Sequence, residues 1–174
     1  HKVPVVHLVS PSIWAWRPER IQDIRRAVDH MLLVFPFEEE IYRKAGIPAT
    51  FVGHPLAGII PMTPDTEGAR QYLGVEANGR PVVTVMPGSR PAEISGCGAI
   101  FFEALERLIK RTGPVTVLVP AINEEAEKNL LQLAHGYPNV QSSLIVKVGE
   151  SHKMIEAADA LSLIHISEPT RLDV

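Results

Sequence analysis

Short β-branched apolar runs and longer stretches with helical spacing follow one another along this chain. Residues 3–9 form a valine-rich run, the pattern of a strand covered on both faces. Residues 17–28 read as a helix, with Ile21, Ile24 and Val28 at positions i, i+3 and i+7. Residues 31–35 predict a second strand, 37–45 a short helix closed by Gly46, and 49–52 a third strand. Residues 55–64 then hold three prolines and one glycine, which suits a connection between domains. Asp65 stands where an N-cap belongs, ahead of a helix that reaches Leu73 and is closed by Gly74. The series continues with strands at 82–86, 115–119 and 144–148, alternating with helices at 100–111, 123–134 and 151–158. Residues 161–164 finish a further strand, and the remaining residues to 174 are expected to be loosely ordered.

Strands alternating with helices predict an α/β fold, in which parallel sheets carry helices on both faces. In such folds ligands sit beyond the carboxyl ends of the strands. Gly53-His54, Pro87 to Arg90 and Pro120 to Asn123 all occupy such ends. The sequence shows no internal repeat and no low-complexity segment.

Composition narrows the classes. A length of 174 residues suits one domain or parts of two, and 45% hydrophobic residues can fill a core. A net charge of -3 leaves no basic footprint for nucleic acid. The single cysteine, Cys97, excludes a disulfide framework and a thiolate metal site within the chain. Lying between Gly96 and Gly98, it reads as a small filler residue. No apolar run approaches the roughly 20 residues of a membrane span. His1-Lys2-Val3-Pro4 has neither a signal-peptide pattern nor an initiator Met, so the chain is expected to begin inside a longer protein.

Two loops carry candidate chemistry. The strand at 82–86 breaks into Pro87-Gly88-Ser89-Arg90, followed by Glu93 and Ser95 and then a helix. That order aims backbone N–H groups and a helix's positive end at an anion, and Arg90 adds a planar charged fork. The same pattern also describes an ordinary strand-to-helix loop with a solvated arginine, because a lone Gly-Ser-Arg lacks the spacing of a Gly-rich fingerprint. The second loop is Ser10-Pro11-Ser12-Ile13-Trp14-Ala15-Trp16-Arg17-Pro18, which holds both tryptophans of the chain. Trp at a strand end can stack on a sugar or acyl chain, or anchor at a membrane interface. It can equally plug the edge of the sheet. The following helix bears Arg17, Arg20, Arg25 and Arg26, a basic face suited either to anionic lipid or simply to water.

Taken in order, Ser10 to Arg17, Phe35-Pro36-Phe37-Glu38, Phe51-Val52-Gly53-His54-Pro55-Leu56, and Pro87 to Arg90 with Glu93 resemble the lipid-A-disaccharide synthase family. These are Gram-negative bacterial glycosyltransferases of the two-Rossmann-domain (GT-B) type. The resemblance runs from about residue 3 to 160, and it is the set of four motifs that makes it specific. It implies two incomplete Rossmann-like domains. Residues 1–55 would end the N-terminal acceptor-side domain, 56–64 connect, 65–160 begin the nucleotide-sugar domain, and 161–174 form an artefactual or disordered tail.

The implied reaction joins UDP-2,3-diacylglucosamine to 2,3-diacylglucosamine 1-phosphate, giving a β-1,6-linked disaccharide and UDP. The family resembles other GT-B enzymes in using basic side chains and helix N-termini, without a metal or cofactor. Gly88, Ser89, Arg90 and Glu93 are therefore the expected donor and phosphate residues, with Arg90 leading. Glu93 either caps the helix, the preferred reading, or positions a substrate hydroxyl. Ser10, Trp14, Trp16 and Arg17 are the expected acceptor or lipid contacts, on a protein attached peripherally to the inner face of the cytoplasmic membrane. His54 is a domain-junction candidate whose ordinary role would be structural. Asn123 reads as an N-cap rather than a ligand.

Two departures from the family pattern stand out. The family's general base, a carboxylate, is expected upstream of His1, so no catalytic base is named in this chain. After Ala160 the family continues with a Ser-Gly-Thr turn and a Glu that bind the nucleotide. Here Leu161 to Val174 contains no glycine, and residues 162–172 resemble translated sequencing-adapter text, so no role is read from His165 or Arg171. The segment alone need not be active. The alternatives are another GT-B enzyme, such as the peptidoglycan lipid-intermediate N-acetylglucosaminyltransferase, or a non-catalytic sugar-nucleotide or lipid-binding module.

Overall fold

The computed structural model describes residues 3–76 and 78–164, and the chain divides into two compact units, His1–Thr63 and Pro64–Val174. Both are α/β with wholly parallel sheets. His165 and Arg171 lie outside the described residues.

The first unit contains strands β1 (Val6–Leu8), β2 (His30–Leu33) and β3 (Ala49–Phe51), hydrogen-bonded in that order. Helices α1 (Ile21–Ala27) and α2 (Glu38–Lys44) form the crossovers. Ile13, Met31, Leu33, Tyr42 and Ile47 make its core, with Ile21, Ile24 and Val28 packed against it. The predicted helical spacing thus does face the core. Gly46 adopts φ 65° after α2, as a helix-closing glycine should.

Two expectations fail in this unit. The run at 3–9 is not a buried strand: β1 has three residues, all exposed, because it pairs on one side only and lies at the edge of the sheet. The helix expected from Arg17 starts later. Arg17 precedes Pro18, whose ring disfavours helical backbone in the residue before it, and Arg17 sits instead at φ 57°. A 3₁₀ turn over Pro18–Arg20 then leads into α1.

The second unit contains α3 (Thr66–Leu73), β4 (Val82–Met86), α4 (Pro91–Thr112), β5 (Thr116–Ala121) and α5 (Glu124–Ala134). It continues with α6 (Pro138–Gln141), β6 (Leu144–Val148), α7 (Ser151–Glu156) and β7 (Ala160–Leu163). Its sheet runs β6-β5-β4-β7. Alternate residues of the central strands serve opposite faces. Val83, Val85, Val117 and Val119 pack with α4 and α5 through Ile94, Phe102, Leu105, Ile109 and Leu130. Val82 and Leu118 pack on the other face with Ala69, Leu73, Met154 and Ala157 of the α3 and α7 region. Burying each large apolar side chain contributes about 1.5–3 kcal/mol relative to exposure.

The caps form where the residues place them. Asp65 Oδ1 accepts from the Gly68 amide at 2.9 Å, and Asn123 Oδ1 from the Ala126 amide at 2.8 Å. Gly74 closes α3 at φ 67°. The main correction is α4, which begins at Pro91 rather than Ile100. Proline at the first helical position has its φ preset, and the small residues that disguised this stretch are accommodated. At Gly98 a side chain would lie 2.8 Å from Leu133 Cδ2, so its absence lets α5 come close. The edge strand β7 pairs with β4, Val85 opposite Ser162, so residues 161–163 belong to the sheet.

Candidate functional site

The end of β4 is the most specifically built loop of the second unit. Gly88 sits at φ 122°, where a Cβ would lie 2.4 Å from Glu93 Cβ and 2.7 Å from its Oε2, so only glycine fits. Pro91 then starts α4, which brings the positive end of a 22-residue helix to the turn. Glu93 Oε2 accepts from the amides of Ser89 at 2.9 Å and Arg90 at 3.1 Å. Its Oε1 accepts from Arg90 Nη1 at 2.8 Å. Glu93 is therefore the cap of α4, and the Arg90 and Ser89 amides, with the guanidinium, hold its carboxyl below the ordinary range. The side chain of Arg90 remains 80% exposed.

A cavity of about 520 Å³ opens at this turn. Gly88, Ser89, Arg90 and Glu93 line it beside Pro120 to Ile122 at the end of β5, Gly149 and Ser151 after β6, and Ile164 after β7. All four strands thus deliver their carboxyl ends to one hollow. Gly149 and Ser151 went unnoticed in the sequence, because nothing local marks which strand ends are neighbours. A larger open hollow of about 950 Å³, lined by Arg70, Arg80 and Asp159, lies at the amino ends of β4 and β7. That end is the wrong one for ligands in such folds. Of its two arginines Arg70 is also engaged: Nη2 lies 2.9 Å from Asp159 Oδ1, and Nε donates to the Ala157 carbonyl at 2.9 Å.

In the first unit the structure gathers an aromatic patch. Trp14 meets Phe37 edge-on with centroids 5.3 Å apart, and Phe37 stacks on Phe35 at 5.6 Å. The Arg17 guanidinium lies 4.8 Å above the Trp16 ring. Trp14 is 52% and Trp16 70% exposed, so neither plugs the sheet. Ser10 is buried instead. Its hydroxyl bonds the Pro11 carbonyl at 2.8 Å and shares a hydrogen bond with Tyr42 Oη at 2.7 Å. Burial, opposed by that bond and assisted by Glu38, raises the Tyr42 phenol above its ordinary value. Val9, just before Ser10, is held at φ 72°, a strained conformation for a β-branched residue. Glu38 is almost fully buried and accepts from the Phe35 amide at 3.2 Å, pinning the turn that carries both phenylalanines.

The remaining candidates have local roles. His54 Nδ1 accepts from the Leu56 amide at 3.2 Å, capping the 3₁₀ turn Pro55–Gly58. Arg25 donates to the Ala45 carbonyl, while Arg20 and Arg26 face water. Cys97 is a half-buried free thiol within α4. Among the described residues no three His, Cys, Asp or Glu side chains converge as a metal site, and no helix is long and apolar enough to cross a membrane.

Comparison with known proteins accords with this geometry. The family model for lipid-A-disaccharide synthetase matches residues 1–166. The chain belongs to that family. A lipid-A-disaccharide synthase of Cupriavidus pinatubonensis is 50% identical over 161 residues, covering 92% of this chain and 39% of the relative. One from Burkholderia mallei is 47% identical over 159 residues, covering 91% of this chain and 40% of the relative. One from Paraburkholderia phymatum is 45% identical over the same length. The chain spans about two fifths of the length of these relatives.

Proposed function

We propose that this chain is the central part of an enzyme that condenses UDP-2,3-diacylglucosamine with 2,3-diacylglucosamine 1-phosphate, releasing UDP and the lipid A disaccharide. The observation that carries the reading is the Pro87-to-Arg90 turn. It lies at the carboxyl end of the central strand β4, at the head of α4 and on the rim of the 520 Å³ cavity. When the anomeric C–O bond breaks, its electron pair stays with the UDP phosphate oxygen and negative charge grows there. Arg90, exposed on the rim, stabilises that charge, and hydrogen bonds to the developing anion are worth more in the transition state than in the ground state. The reading includes no metal, and the UDP-sugar is a substrate rather than a cofactor. Deprotonation of the acceptor 6-hydroxyl is assigned to no residue of this chain.

The aromatic patch gives the membrane half of the reading. Substrates with acyl chains require an apolar surface, and Trp14, Trp16, Phe35 and Phe37, with Arg17, Arg20 and Arg26 nearby in sequence, supply rings and charge suited to an anionic lipid face. On this reading the enzyme attaches peripherally to the inner face of the cytoplasmic membrane. In the full-length protein carrying this segment, UDP release should require both acylated substrates; release that ignores the acceptor would overturn disaccharide synthesis. Changing Trp14 and Trp16 to Ala should reduce co-sedimentation with anionic liposomes severalfold, and unchanged binding would overturn the membrane assignment.

A further inference from the structure

The turn after β4 has an occupant of its own. An incoming phosphate would seek the free amides at the head of α4 and the arginine beside them. Two of those amides, Ser89 and Arg90, already donate to Glu93 Oε2, and Gly88 leaves room for that carboxylate to lie against the backbone. The other carboxylate oxygen takes Arg90 Nη1. Two amides of the cradle are thus taken by an internal anion, while the rest of the guanidinium, on an exposed side chain, stays open to a ligand.

We propose that Glu93 is a positioning residue: it occupies the anion cradle of the turn and, through Nη1, fixes the Arg90 guanidinium as the group that meets the donor diphosphate. The inference rests on the donor-contact reading of Arg90. Pairing with a carboxylate costs Arg90 some attraction for phosphate, but at an exposed site water screens that loss. A long arginine left loose would lose far more freedom on binding, because its side-chain entropy is among the largest of any residue. Pinning one edge of a planar group also sets the plane of the other. Orientation therefore outweighs charge at this position.

The full-length enzyme tests this with E93Q, R90A and the double variant, measuring donor KM and kcat at saturating acceptor, UDP affinity and melting temperature. Glutamine keeps an oxygen for the two amides but turns an NH₂ group toward Arg90 Nη1, so E93Q retains the cap and breaks the clamp. The expected result is a loss of roughly tenfold in kcat/KM for the donor, the scale of one hydrogen bond to a charged group, with melting little changed. E93Q should cost nothing further in the R90A background, a non-additivity that a purely structural cap would not produce. An unchanged donor kcat/KM in E93Q, with R90A impaired, would overturn the clamp and leave Glu93 a helix cap. A lower donor KM would also overturn it, showing that Glu93 competes with the donor. A harmless R90A would remove the donor-contact reading itself, and the clamp with it.

Discussion

β1 and β4 look alike as text, each a valine-rich run ending in a loop with candidate chemistry, yet the fold treats them oppositely. β4 pairs on both sides, and its first four residues are buried, whereas β1 pairs on one side and exposes all three of its residues. Their loops differ in the same sense. The turn after β4 is organised within a few residues, by Glu93 reaching back to Ser89 and Arg90. The loop after β1 depends on a partner 32 residues away, Ser10 against Tyr42. A valine run therefore announces a strand, but its burial is decided by neighbours that the run does not contain. The sharpest way to break this contrast is to remove bulk from each unit in turn. Phe102→Ala, beneath β4 and fully buried, should cost about 3–5 kcal/mol in urea unfolding, while Val6→Ala on β1 should stay within about 0.5 kcal/mol. Comparable losses would mean that β1 is covered as β4 is.

What the sequence disclosed obeys the same division. The caps at Asp65 and Asn123, the closing glycines and the strand-turn-helix order at Arg90 are short-range, and the residues that make them are adjacent in the text. The start of α4 escaped because Gly96-Cys97-Gly98 reads as a loop, while the reason for Gly98, close approach of Leu133, lies on another helix. The burial of Glu38 and the Ser10–Tyr42 bond escaped for the same cause. So did Glu106, on α4, which accepts from the amides of Asn139 and Val140 at 3.1 and 3.2 Å and so fastens α6. Which strand ends share the 520 Å³ cavity depends on the order β6-β5-β4-β7, and no single stretch of sequence states that order.

The two loops can be separated by smaller changes. Gly88→Ala places a side chain at φ 122° against Glu93, so it should destabilise by about 1–3 kcal/mol and raise donor KM together. A change in stability with donor KM untouched would show that the turn does not serve the donor. Tyr42→Phe should cost about 1 kcal/mol by removing the hydroxyl that bonds Ser10, and it should leave donor KM alone while weakening liposome binding. Its effect would identify the distant hydroxyl pair as the fixture of the aromatic loop.

The smallest expected effect is the response to acid, and it too should fall on the second unit. Glu93, Glu106, Glu156 and Asp159 of the second unit are all held below the ordinary carboxyl range, as is Glu40 in the first. For Asp159 the main cause is the Val82 amide, followed by burial acting upward and Arg70 acting downward. For Glu156 it is Lys153, then the Asp65 amide. In Glu106 burial acts first and upward but is outweighed by Asn139, Val140 and Lys110. A carboxyl depressed in the folded state leaves the unfolded chain holding more protons, so its stabilisation is complete above the unfolded pKa of about 4 and disappears as pH falls through the folded value. Asp159 is about half exposed, so water and salt screen its contribution and keep it small. It is the most informative of these carboxyls, since Val82 N donates to it at 2.8 Å where β7 joins β4. Asp159→Asn keeps an acceptor for that amide but removes the titration. Hydrogen exchange at β4 and β7 should then lose protection less steeply between pH 5 and 3 than in the parent chain, with β1 and β2 unaffected. If β1 and β2 lost protection first on acidification, the second unit would not owe its tighter construction to these carboxylates.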